Sequence, residues 1–69
     1  MDKNTALELL VNYKNKLGAS KDKRTNTVRR SITNRVNWLK VHRSNENLNR
    51  LFVSEARKLM DNYMAGLGN

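Results

Sequence analysis

The chain has no cysteine, no proline, one histidine and four aromatic residues among 69. Without cysteine it can form neither a disulfide nor a thiolate zinc site. A single histidine, His42, cannot assemble a metal site alone, so no metal or other cofactor is expected. No apolar run approaches the ~18 residues of a membrane span. The opening MDKNTALELLVNYKNK resembles a signal peptide only superficially. Its apolar stretch is short, acids interrupt it, and no small-residue cleavage pattern follows. The expectation is a soluble, cytoplasmic protein.

Acidic residues are also scarce. Asp2, Glu8, Asp22, Glu46, Glu55 and Asp61 are scattered along the chain. There is no Gly-rich phosphate loop and no His–carboxylate cluster. No catalytic residues, enzyme activity or small-molecule substrate are expected. His42 reads as a surface or capping residue near the end of a helix.

What is present is positive charge. Fourteen Lys and Arg stand against six Asp and Glu, and eight of the fourteen lie in Lys21–Arg43 beside a single acid, Asp22. The rest of the chain is close to neutral. Crowding like charges raises self-repulsion, so an imbalance confined to one segment points to an acidic partner. Eleven asparagines are a high count. Asparagine-rich coding accompanies AT-rich genomes, including those of many phages, and a phage origin is expected by association.

The three glycines lie near candidate helix ends. Thr5-Ala6-Leu7-Glu8 fits a capping box, which starts helix 1 at about residue 5. Leu7, Leu10, Val11 and Leu17 share one side, overlapped by Leu10, Tyr13 and Leu17. Gly18 suits a left-handed cap, with Lys14 and Lys16 at the negative end of the dipole. Helix 1 therefore runs over about 5–17.

Helix 2 opens at Ser20 or Thr25 and runs from 21 or 25 to about 43. Lys21–Thr25 can alternatively be an extended arm. Val28, Ile32, Val36 and Leu39 make an apolar stripe less than ~90° wide. Helix 3 spans about 45–65, opened by Ser44 or Asn45 and ended by Gly66 and Gly68. Leu48, Leu51, Phe52, Ala56, Leu59, Met60, Tyr63, Met64 and Leu67 give it the widest apolar face. Arg57 and Asp61 form a candidate i,i+4 ion pair. The expected fold is all-α: one domain over 1–69, built as a small antiparallel three-helix bundle. The alternative is a helical hairpin that dimerises. A core this small supplies only ~3–5 kcal/mol, so homo-oligomerisation is a route to more burial.

The basic segment supplies the candidate binding residues: Lys21, Lys23, Arg24, Arg29, Arg30, Arg35, Asn37, Trp38, Lys40 and Arg43. The cations would meet phosphates, and Trp38 or Asn37 would add base contacts. Trp38 lies about 115° from the centre of the apolar stripe, so it either stacks on a base or covers the core edge. Asn34 and Asn37, near Arg30 and Arg35, are of types that read base edges. A standard helix-turn-helix over NYKNKLGASKDKRTNTVRRSI is not supported. Lys14 takes the place of the small residue needed before the turn, and Lys23, Arg24 and Thr27 occupy apolar positions.

The expected function is a small accessory protein binding nucleic acid, DNA rather than RNA, through phosphate contacts from helix 2 and its preceding arm. The alternative is an adaptor or inhibitor docking on an acidic surface of a larger protein, such as a nucleic-acid enzyme. Membrane binding is disfavoured, because the basic helix has a narrow apolar stripe and the most amphipathic helix is nearly charge-balanced.

Overall fold

The computed structural model describes residues 1–67. Among them the chain forms three helices and no strand: α1 (Lys3–Leu17), α2 (Lys23–Val41) and α3 (Glu46–Leu67). All three pack on one another. Contacts between helix ends fix their directions. Lys3 Nζ donates to the His42 carbonyl at 2.7 Å, which sets the start of α1 beside the end of α2. The Thr25 and Tyr63 hydroxyls are 2.6 Å apart, which sets the start of α2 beside the end of α3. Asn49 Nδ2 donates to the Met1 carbonyl at 3.1 Å. The bundle is therefore up-down-up, with α1 and α3 parallel.

Side-chain acceptors cap the starts of α1 and α3. Asp2 caps α1, accepting from the Thr5 amide at 2.7 Å. The helix thus starts two residues before the Thr5 capping box, because a carboxylate at Asp2 reaches the third amide directly. Asn45 caps α3, accepting from the Leu48 amide at 2.8 Å. Gly18 closes α1 with φ 65° and ψ −154°, and its amide donates to the Asn15 carbonyl. Its φ is positive as expected, but its ψ lies outside the left-handed helical region.

The core is Ala6, Leu10 and Leu17 of α1, Val28, Ile32, Val36 and Leu39 of α2, and Val53, Ala56 and Met60 of α3. The α2 stripe read from sequence is buried in full. The α3 face is turned from its expected line. Leu51 is 50% exposed and Met64 47%, while Val53 and Asn49 are buried. The spacing Asn49–Val53–Ala56–Met60 fits between two neighbouring helices, whereas Leu51 lies on the opposite side. α3 also continues through Gly66, and Gly68 lies outside the described residues. Arg57 and Asp61 do not pair; among the described residues the ion pair is Arg35–Glu55.

Candidate nucleic-acid interface

α2 has a buried stripe and a broad outward side. At 100° per residue, Lys23, Thr27, Arg30, Asn34, Asn37 and Val41 fall along one line opposite the stripe. All six are exposed. From Lys23 to Asn45 the chain contains no acid. The helix begins at Lys23, so Lys23 and Arg24 belong to its first turn and not to an arm. Asp22 is its N-cap without a side-chain cap bond, and the Asp22 amide donates to Ser20 Oγ at 3.2 Å. The helix ends at Val41, two residues before the expected boundary, so Arg43 follows it.

The candidate cations divide by their partners. Arg35 is turned toward α3. It donates to Glu55 Oε2 at 2.7 Å, to Ser31 Oγ at 2.6 Å and to the Ser31 carbonyl at 3.0 Å. Its charge is balanced where it sits. Arg29 folds back on the helix start, donating to Asn26 Oδ1 and to the Ser20 carbonyl, both at 2.7 Å. The Arg24 guanidinium lies across Gly66 of α3, where an added Cβ would collide with it. Lys21, Lys23, Arg30, Lys40 and Arg43 are exposed and make no side-chain hydrogen bond or ion pair among the described residues.

Trp38 is half-buried against the core. One ring face is stacked on His42, with centroids 4.5 Å apart and planes at 10°. Phe52 meets it edge-on at 5.2 Å. His42 is the C-cap of α2, and its Nδ1 lies 3.0 Å from the Trp38 carbonyl. The indole thus closes the α2–α3 seam beside the basic face. Asn37 and Asn34 are exposed and unbonded among the described residues, whereas Asn26 both accepts from Arg29 and donates to the Lys21 carbonyl at 3.3 Å. Asn34, named from the sequence with Asn37 as a type that reads base edges, lies on the same outward line. Its signal was the four-and-three spacing from Arg30 to Asn37.

A second surface lies on the seam between α1 and α3. Two adjoining cavities of about 340 and 450 Å³ share Tyr13 and Arg57. Leu9, Tyr13, Val53 and Met60 supply apolar lining, Lys16, Arg50 and Arg57 supply cations, and Asp61 is the acid present. Among the described residues no three His, Asp or Glu side chains come together to hold a metal ion. No helix there is long and apolar enough to cross a membrane. Comparison with protein-family models, curated proteins and solved structures found no match.

Proposed function

We propose that the chain is a small cytoplasmic accessory protein, not an enzyme, that binds nucleic acid through the outward side of α2. One observation carries the reading. Among the described residues, Lys21, Lys23, Arg30, Lys40 and Arg43 are exposed without partners, along a segment that holds no acid after Asp22. The fold does not use these charges, and together they repel one another. A phosphate backbone would relieve that repulsion and release its own counterions. Duplex DNA is favoured over single strands because the aromatic side chains pack inward, and Trp38 has His42 on one face. A stacking platform for unpaired bases needs open aromatic faces.

Fluorescence anisotropy with labelled duplex DNA, single-stranded DNA and RNA tests the reading. Duplex binding should persist near about 150 mM salt, with a log–log salt slope of about −4.5 if five phosphates are met. Replacing Lys23, Arg30 and Lys40 together by Ala should weaken binding and make that slope shallower by about 2.7. Arg29 and Arg35 are left intact because their guanidinium groups are engaged by bonds within the chain. Loss of binding at that salt, or indifference to the triple substitution, would reject the reading.

The α1–α3 seam favours a second reading, an adaptor for an acidic partner. Its apolar lining between Lys16, Arg50 and Arg57 suits an amphipathic acidic segment of a larger protein. That reading expects Arg50→Glu with Arg57→Glu to abolish a pull-down that Lys23→Ala with Arg30→Ala leaves intact. The opposite pattern would discard it.

A further inference from the structure

We infer that α2 reads the major groove of duplex DNA through Arg30, Asn34 and Asn37, giving the protein a sequence preference beyond its grip on phosphate. The inference rests on the nucleic-acid reading above and deepens it.

Two groups of polar residues on α2 differ in how the fold uses them. Asn26, Thr27, Arg29, Ser31 and Arg35 are held by bonds within the chain. Thr27 Oγ1, for instance, donates to the Lys23 carbonyl at 2.9 Å. Lys23, Arg30, Asn34, Asn37 and Lys40 are exposed with no such bond among the described residues. Arg30, Asn34 and Asn37 are consecutive positions on the line opposite the core. At 1.5 Å per residue they cover about 10 Å, or roughly three base-pair steps of 3.4 Å.

Their chemistry matches that spacing. Arg bonds the O6 and N7 of guanine in two-pronged fashion, and Asn does the same with the N6 and N7 of adenine. The major groove, about 12 Å wide, admits a helix. The deep, narrow major groove of A-form RNA does not. Lys21 and Lys23 at one end, and Lys40 and Arg43 at the other, bracket the three readers and can meet phosphates on both sides of the groove.

The experiment is a selection from duplexes with a randomised core, using the full chain at physiological salt. The expected result is an enriched element of three or four base pairs containing guanine and adenine. Asn34→Ala with Asn37→Ala should then erase the preference, lowering affinity for the enriched duplex by about fivefold to a hundredfold per lost contact. The salt slope should stay unchanged, because no charge is removed. Asn12→Ala with Asn62→Ala, at exposed sites on the other two helices, should keep the preference. A retained pool with no enriched element overturns the inference while leaving phosphate binding standing. So does a preference that survives loss of Asn34 and Asn37. A pool that is not retained at all removes the nucleic-acid reading and this one with it.

Discussion

Gly18 holds a backbone conformation, φ 65° and ψ −154°, that is nearly closed to residues with a Cβ. Space is not the obstacle, since nothing lies within 4 Å of an added Cβ. Gly18→Ala should therefore cost about 1–3 kcal/mol through backbone strain alone, read as a shift in the urea midpoint. At Gly66→Ala the nearest atoms to the new Cβ belong to the flexible end of Arg24, so the variant should stay within about 0.5 kcal/mol of the parent. Tyr63→Phe should cost about 1–2 kcal/mol, because it strands the buried Thr25 hydroxyl. Asp2 adds a pH dependence. The Thr5 amide donates to its carboxylate and holds its pKa below the ordinary value of 3.8. The carboxylate therefore contributes stability that is present above pH 3.8 and is lost as pH falls through the lowered value. Urea midpoints of the parent and Asp2→Ala should differ at neutral pH and converge in strong acid. A gap that stays constant with pH would contradict this role.

At the scale of the elements, α2 and α3 are joined by Arg35–Glu55 and by the Trp38–Phe52 contact. The ion pair is partly exposed, 22% and 42% by side chain. A double-substitution cycle to Ala should give a coupling of only about 0.5–1 kcal/mol. Trp38→Ala should cost more, about 2–3 kcal/mol, by opening the seam. The stripe of α2 was legible in the sequence because Val28, Ile32, Val36 and Leu39 are unbroken by polar residues at their spacing. The face of α3 was less legible. Leu51 drew the apparent stripe aside, Met64 is exposed near the helix end although it follows the buried line, and buried Asn49 is invisible to a count of apolar residues. Its burial depends on the Met1 carbonyl, 48 positions away.

For the whole molecule, net charge governs both stability and binding. A chain at +8 repels itself most at low ionic strength, where screening is weak. Its melting temperature should rise as salt is raised toward about 150 mM. The Lys23/Arg30/Lys40→Ala protein should match or exceed the parent in stability at low salt. It loses repulsion and gains helix propensity, while binding nucleic acid less. A triple variant that is less stable at low salt would mean that these cations serve the fold.

Local pattern determined the helical class, the three segments, the buried stripe of α2 and the concentration of charge in it. These follow from spacing along one helix, which a linear sequence records. Tertiary structure decided which polar groups are used by the fold and which face outward. Arg35 meets Glu55, Thr25 meets Tyr63 and Asn49 meets Met1 across 20, 38 and 48 residues. Those pairings depend on helix directions and rotations set by packing. Only once they are known does Arg35 leave the candidate surface, while Asn34 and Asn37 stay on it.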